Sequence, residues 1–303
     1  MHIIYAHLSN SDKSIQQSEQ ELLYSVNKAY DLYHLLLALP VEIAKIAEER
    51  IERAKVKKMP SQEDLNPNMR FIENPLVGQL KGNKELSSYF EEHKLNWINH
   101  YELLKKLYQQ FSEMDFFKEY MNKETVSYNE HKKFIENFYS AVVVPSEELE
   151  EEMEELSIYW NDDYNFVCSM VIKTIKKFKE SSSESHRLMN LYKDEEDLQY
   201  TKDLLRKTLV NHESQQKELI SYTKNWDIER IAMIDNIIME MALTEFTAFP
   251  SIPVKVTLNE YIDLAKYYST KKSSTFVNGI LDKILQDYQT TEKVKKAGRG
   301  LQS

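Results

Sequence analysis

Almost nothing in this sequence interrupts a helix. Its 303 residues include only 5 Gly and 7 Pro, the two residue types that most strongly end or bend helices. Apolar side chains recur three and four residues apart over long stretches, as at Leu22, Val26, Tyr30, Tyr33 and Leu37. Segments with strand periodicity are no longer than a few residues, and there is no internal repeat. The sequence therefore predicts an all-α fold.

The few breakers and the polar clusters divide the chain into predicted helical blocks. Residues 16–57 are predicted to form one long helix or a close pair, which Pro40 kinks or splits. Prolines and glycines predict a long loop over 58–83, and 142–145 is predicted to be a short extended break. The serines at 181–183 form the predicted seam between two parts of the chain. Five helices are expected after it, over roughly 195–211, 214–224, 227–246, 257–268 and 273–288.

The acidic excess is confined to the first two thirds of the chain. The formal charge is −10, but residues 196–303 hold 15 basic and 15 acidic side chains, whereas residues 1–195 hold 24 and 34. The last stretch, 271–303, is basic, with 7 cations against 3 acids. An acidic chain is poorly suited to a sequence-independent grip on nucleic acid. The two parts therefore have different partners, or the acidic part needs its charge only for solubility.

Sequence motifs of enzymes and metal sites are absent. The sequence has no HExxH, no paired ExxH, no Gly-rich phosphate loop and no GxSxG. Cys168 is the only cysteine and lies in an apolar run, which predicts a small buried hydrophobe and fits a reducing cytoplasm. No stretch approaches the ~20 apolar residues that span a bilayer. We therefore expect a cytoplasmic protein without catalytic activity, cofactor, metal or membrane segment.

The densest cluster of charge is the glutamate run at 147–155. It contains no Gly, which a calcium-binding loop requires for its turn. The run predicts a solvated helix face, with Leu149, Met153 and Leu156 pointing inward. A docking face for a basic partner, or an electrostatic mimic of nucleic acid, stays open as the alternative.

The most specific pattern is an ordered set of short motifs between residues 226 and 282. Apolar residues at helical spacing fill the helix after Asp235, and Thr257 with Glu260 is predicted to form a capping box at the start of the next helix. The motifs are Trp226-x-x-x-Arg230, Asp235 with Ala242-x-x-Glu245, Pro253, Asn259-Glu260-x-x-x-Leu264-Ala265-Lys266, and Phe276-Val277-Asn278-Gly279-x-Leu281-Asp282. In order and spacing, this set resembles the C-terminal half of the NusB family.

The resemblance implies an all-α fold with a NusB-like helical bundle body and a large additional helical region. Residues 1–14 would be the remnant of the first NusB helix, because His2-Ile3-Ile4-Tyr5 stands where the family has Gln-x-x-Tyr. Residues 15–190 would be an inserted helical region, and residues 191–303 the NusB-like body. The Arg-rich helix start of the family is missing before His2, and we expect it to lie upstream of Met1.

The family also implies a function and a set of partners. It binds a boxA-type RNA element as a heterodimer with NusE, a small-subunit ribosomal protein. The pair joins the RNA polymerase elongation complex and supports antitermination in ribosomal RNA synthesis. By the resemblance, the candidate RNA-binding residues are Phe276, Lys271, Lys272, Asp235, Tyr5 and His2. The candidate partner-binding residues are Tyr267 and Tyr268.

Each of these residues also has a structural interpretation. Phe276 would be a core side chain at a helix start, and Asp235 an acid in the first turn of a helix. Lys271 and Lys272 would be ordinary solvated lysines. The net charge of −10 and the missing Arg cluster keep a second hypothesis open. In it, the chain is a helical protein-interaction scaffold of the same fold, with weak or lost RNA binding.

Overall fold

The computed structural model describes residues 1–10, 12–223, 232–294 and 296, and these residues form helices but no strand. The prediction of an all-α fold is therefore confirmed. In chain order, the α-helices are α1 (His2–Leu8), α2 (Ile15–Lys55), α3 (Gln62–Leu65), α4 (Pro75–Lys81), α5 (Lys84–His93), α6 (Tyr101–Glu113), α7 (Asp115–Asn122), α8 (Tyr128–Phe138), α9 (Glu147–Leu156), α10 (Tyr164–Lys177), α11 (Glu195–Tyr222), α12 (Met233–Ala248), α13 (Val254–Tyr268) and α14 (Lys271–Thr290).

Contacts between residues divide the chain into two compact units. The first unit comprises Met1–Tyr24 and Tyr192–Ser303, and the second comprises Ser25–Leu191. The sequence placed its boundaries at 14/15 and 190/191. Helix α2 crosses the first division without a break, so residues 15–24 belong to the first unit although their helix continues into the second. Each unit has a hydrophobic core of its own.

Helix α2 continues through Pro40, so of the two predicted alternatives, one long helix or a close pair, the structure has the long helix. Proline has no N–H to donate to the carbonyl four residues earlier, which here is Leu36 O. The hydroxyl of Tyr139 donates to that carbonyl at 2.8 Å and takes the place of the missing backbone donor. Leu36 and Tyr139 are fully buried, where an unpaired carbonyl would be costly. The side chain that keeps the helix intact lies 99 residues further along the chain, beyond the range of local sequence rules.

The predicted long loop over 58–83 contains the short helices α3 and α4. Asn74 caps α4, because its Oδ1 accepts from Leu76 N at 2.9 Å. Pro75 follows at the first helical position, where its missing N–H has no intrahelical partner to lose. An Asn-Pro pair thus starts a helix here.

The core of the second unit is rich in aromatic side chains and extends into a π-helical turn. Phe111 contacts four other phenylalanine rings of this core, with centroid distances between 4.6 and 5.4 Å for Phe71, Phe117, Phe134 and Phe138. The π-helical turn Tyr139–Val143 continues α8, so the extended break predicted at 142–145 is wrong. Val142 and Val143 are buried, and their packing overrides the strand preference of β-branched residues.

The two sequence features singled out in this unit are mostly as predicted. Cys168 is buried, and burial raises the pKa of its thiol to about 12. The glutamate run forms α9 with Leu149 and Met153 in the core. Leu156 is 50% exposed, however, so its predicted inward orientation is wrong. It is the last residue of α9, where the helix leaves the core.

The first unit is built around α12, which contacts α1, α11, α13 and α14. The sequence predicted one apolar stripe on this helix, but every residue from Ile237 to Phe246 is buried. Its polar residues are paired inside the unit. Glu240 accepts from His212 Nδ1 at 2.7 Å and from Gln216 Nε2 at 3.0 Å. Helix α12 is therefore the central element of this unit.

Helix α11 is one helix of 28 residues, so the two predicted helices, 195–211 and 214–224, are one element. Asn211 and Ser214 lie at the predicted break. Asn211 Nδ2 donates to Lys207 O at 2.8 Å, and Ser214 Oγ donates to Asn211 O at 2.8 Å. Both polar side chains bond within the helix instead of ending it.

Candidate nucleic-acid interface

The junction of α13 and α14 is shorter than the four-residue gap between the helices predicted over 257–268 and 273–288. Only Ser269 and Thr270 separate the two helices. Thr270 caps α14 by accepting from Ser273 N at 3.2 Å. Lys271 and Lys272 are therefore the first residues of α14, at the positive end of its helix dipole. The Lys272 side chain is exposed, and the Lys271 side chain lies outside the described residues.

Aromatic rings of α1 and α13 meet beside this junction. The His2 ring contacts the Tyr268 ring edge to face, with centroids 5.0 Å apart. Tyr267 and Tyr268 contact each other with centroids 4.9 Å apart. Tyr268 is half-buried, whereas His2 is exposed and Tyr267 is 69% exposed. The structure thus brings one predicted RNA contact and both predicted partner contacts together.

Helix α1 presents its polar and aromatic face to solvent while Ile4 fixes it to the core. Ile4 is 1% exposed and belongs to the core of the first unit. Tyr5 is 43% exposed and lies three residues after His2, so both share one face of the helix. Exposed rings on a helix that is held in place are suited to stacking on a partner's ring or base.

Phe276 and Asp235 are not fully exposed. Phe276 is half-buried and packs against the core of the first unit. Asp235 lies in the first turn of α12 and is 3% exposed. Its Oδ1 has no hydrogen-bond partner among the described residues. Of the sequence motifs, Trp226 and Arg230 lie outside the described residues.

One buried carboxylate that shapes the first unit, Glu245, was not singled out as functional by the sequence. Glu245 accepts from the hydroxyl of Tyr261 at 3.1 Å and also from that of Tyr200. Burial raises the pKa of both tyrosines, and Glu245 raises it further, so both hydroxyls stay protonated as donors. Lys296 Nζ donates to Glu245 O at 3.0 Å, and burial lowers the pKa of Lys296. The Ala-x-x-Glu245 motif therefore has a structural role in joining α12 to α11 and α13.

A basic groove in the second unit was also not predicted. It contains Arg50, Arg53 and Lys57, which are spaced i, i+3, i+7 along one face of the chain, together with Lys105. That spacing can be read from the sequence, but the acidic excess of the region obscures it when charge is summed over a long stretch.

Among the described residues, no group of three or more His, Cys, Asp or Glu side chains could hold a metal ion. None of the described helices combines the length and apolar character needed to cross a membrane.

Comparisons with known proteins match the C-terminal part of the chain. The NusB family profile matches residues 167–286, a range that includes every candidate residue except His2 and Tyr5. Transcription antitermination protein NusB of Salinibacter ruber is 36% identical over 137 residues, which cover 43% of this chain and 86% of that protein. The proteins of the same name from Chloroherpeton thalassium and Clostridium kluyveri are each 37% identical, over 98 and 100 residues.

The matched segments cover different shares of these relatives. The Chloroherpeton match covers 32% of this chain and 46% of the relative, and the Clostridium match covers 33% and 62%. No solved structure gives a significant match. The resemblance seen in the ordered motifs is confirmed by the Salinibacter protein, most of whose length this chain covers. The chain belongs to the NusB family, in a form longer than these relatives.

Proposed function

We propose that this chain is a cytoplasmic, non-enzymatic transcription antitermination factor. It binds boxA-type RNA as a heterodimer with a NusE-type ribosomal protein. The pair then joins the RNA polymerase elongation complex during ribosomal RNA synthesis. The observation that carries the proposal is the 36% identity to a protein named for transcription antitermination, over 86% of that protein's length.

The surface chemistry of the first unit supports RNA as the ligand. Exposed rings at His2, Tyr5 and Tyr267 offer stacking platforms, and stacking of one base on an aromatic ring is worth about 1–3 kcal/mol. The N-terminus of α14 directs free N–H groups towards an anion, and the exposed Lys272 adds a full positive charge. Phosphate and base can therefore be bound by neighbouring parts of one surface.

The contact between His2 and Tyr268 also supports a shared surface for RNA and protein. Tyr267 and Tyr268, the candidate contacts to the NusE-type partner, directly adjoin one of the candidate RNA contacts. Tyrosine is favoured at protein interfaces because its ring buries a large area while its hydroxyl stays solvated. A partner bound there would extend the RNA-binding surface, which fits binding as a heterodimer.

The first experiment measures RNA binding by the full-length chain with and without its NusE-type partner. A fluorescent boxA-type RNA is titrated at several salt concentrations, with a scrambled RNA of equal length as the control. We expect the pair to bind boxA more tightly than the scrambled RNA, with affinity falling as salt rises. A pair that forms but binds neither RNA in a salt-dependent way contradicts the proposal.

Substitutions then test the surface. Phe276→Leu keeps an apolar side chain in the half-buried site but removes the ring, and Lys272→Gln removes one charge. We expect each to weaken boxA binding about tenfold or less, in line with one stacked base or one phosphate contact. Phe166→Ala, at an aromatic residue of the second unit that is 63% exposed, is the matched control and should leave binding unchanged.

The alternative function is a protein-interaction scaffold of the same fold, with weak or lost RNA binding. The net charge of −10 is the observation that favours it. In that case the chain binds the NusE-type partner, but the pair binds boxA-type RNA no more tightly than the scrambled RNA. Measuring both equilibria on the same preparation separates the two functions.

A further inference from the structure

A polar groove of about 500 Å³ lies in the second unit. The last turns of α2 form one wall, and residues 101–109 of α6 form the other. The groove contains the cations Arg50, Arg53, Lys57 and Lys105, the acids Glu49 and Asp64, and the rings of Tyr101 and Tyr108. All of these residues belong to the second unit, whereas the candidate RNA-binding residues belong to the first.

The charge of the groove is opposite to that of the unit around it. Residues 25–191 hold 22 basic and 29 acidic side chains, whereas the groove has two more cations than acids. Cations at the end of α2 also suit the negative end of its helix dipole. That reason does not apply to Lys105, the fifth residue of α6, which lies outside the terminal turns where a helix dipole acts. The cations therefore gather at the groove rather than at one helix end.

The ion pairs that the groove cations make are exposed to solvent. Arg53 pairs with Glu49 at 3.2 Å, Lys57 with Asp64 at 2.9 Å, and Lys105 with Glu102 at 3.0 Å. Each cation keeps at least 40% of its side chain exposed, and exposed pairs contribute little to stability. Arg50 is exposed and has no carboxylate partner among the described residues. A phosphate can thus be bound by Arg50 directly and by the other cations through exchange.

Two of these cations lie over the rings of the two tyrosines. The Arg50 guanidinium lies 5.8 Å from the centroid of the Tyr108 ring, and Lys105 Nζ lies 5.1 Å from that of Tyr101. Tyr101 is held in place by its hydroxyl, which donates to Glu49 and accepts from Arg53, both at 2.7 Å. Rings fixed beside cations are the combination with which proteins bind single strands, stacking bases and neutralising phosphates.

From this arrangement we propose that the groove binds a segment of single-stranded RNA. Its phosphates contact Arg50, Arg53, Lys57 and Lys105, and a base stacks on Tyr101 or Tyr108. An acidic peptide would use the cations but has no flat group to stack on the rings. The groove would give the inserted region a second RNA contact, outside the part of the chain that the family profile matches.

The test uses the full-length chain and a fluorescent ten-nucleotide oligouridylate at low salt. The groove variant is Arg50→Gln with Lys105→Gln. The matched control is Lys118→Gln with Lys173→Gln, two exposed lysines of the same unit that lie outside the groove. We expect the groove variant to bind roughly tenfold more weakly. The slope of log affinity against log salt should fall by about 1.4, which is 0.7 for each lost phosphate contact.

Photocrosslinking with 4-thiouridine in the same oligonucleotide locates the contact. Crosslinks on the groove segments 46–57 and 101–109 support the proposal. They should persist in a chain that carries Lys272→Gln and Phe276→Leu, even if boxA binding is lost, so failure of the proposed function and failure of this inference are distinguishable. Equal losses in the groove and control variants, or no crosslink in these segments, overturn the proposal. Tighter binding of a deca-glutamate peptide than of the oligonucleotide at the groove also overturns it.

Discussion

At the scale of single residues, the stabilising effect of the Tyr139 hydroxyl depends on Pro40, which leaves Leu36 O without a backbone donor. Tyr139→Phe leaves Leu36 O buried without its donor, and we expect a loss of about 1–3 kcal/mol in the free energy of unfolding. In a Pro40→Ala background the new backbone N–H can donate to Leu36 O, so the same substitution should cost less. Urea unfolding of the four proteins in this double-mutant cycle measures the coupling. Equal costs in both backgrounds would contradict this account of how α2 tolerates its proline.

His34 is a second residue whose environment defines a measurable property. Its Nδ1 donates to Tyr30 O at 2.8 Å, and its ring stacks on Tyr89 with centroids 3.6 Å apart. Its Nε2 is buried and has no partner among the described residues. Burial lowers the pKa of His34 to about 4, because protonation would place a second, unpaired N–H in the core.

The pH dependence of stability follows from that lowered pKa. Between pH 6.5 and 4, His34 is protonated in the unfolded chain but neutral in the folded chain, so the free energy of unfolding falls as the pH drops towards 4. Above pH 6.5 the residue is neutral in both states and does not affect stability. The expected contribution is about 3 kcal/mol at pH 4. His34→Asn keeps a donor near Tyr30 O but does not titrate in this range. Unfolding measured from pH 7 to 4 should therefore show a shallower decline for the variant, and parallel curves would refute the assignment.

At the scale of elements, the sequence predicted helices better than it predicted their boundaries and surroundings. The apolar spacing found α12, but periodicity cannot show that its polar face is also buried. Glu240 and Glu245 resemble surface residues until His212, Tyr200 and Tyr261 are placed beside them. A distant partner also decides at Pro40, where the Tyr139 hydroxyl preserves the helix. At Asn74-Pro75 the signal is local, because an Asn cap followed by Pro at the first helical position starts a helix, but the neighbouring prolines and glycines led to the prediction of a loop.

The buried face of α12 can be tested through Glu245. Glu245→Ala removes the acceptor of two buried hydroxyls, and we expect a loss of about 3 kcal/mol in stability. Glu245→Gln keeps one carbonyl oxygen as an acceptor and should cost less. Glu213→Ala, at an exposed acid on the neighbouring α11, is the control and should change stability by under about 0.5 kcal/mol. Chemical unfolding ranks the three, and an equal cost for Ala at both positions would show that the two tyrosine bonds are dispensable.

Only part of the candidate site could be predicted from the sequence, because some of its residues meet through contacts between distant segments. Motif order placed Tyr267 and Phe276 close together with Lys272 in the turn between two helices, and the structure has Tyr267 at the end of α13 and both Lys272 and Phe276 at the start of α14. The ring contact between His2 and Tyr268 joins residues 266 positions apart, so no local pattern contains it. The basic groove of the second unit was missed because net charge was averaged over a long acidic region. Charge at helical spacing, counted face by face, is the signal that would have found it.

At the scale of the whole molecule, the two cores predict that the second unit folds by itself. Residues 25–191 form one continuous stretch with their own aromatic core, and the buried side chains of that core all come from within this stretch. A domain of this size has enough buried apolar surface for independent stability. We expect a fragment of residues 25–191 to be helical by circular dichroism and to unfold cooperatively. Phe138→Ala, which empties a fully buried site, should lower its stability by about 3–5 kcal/mol. A fragment that is helical but melts without a cooperative transition would mean that this core needs the rest of the chain, and that the inserted region is not a domain in its own right.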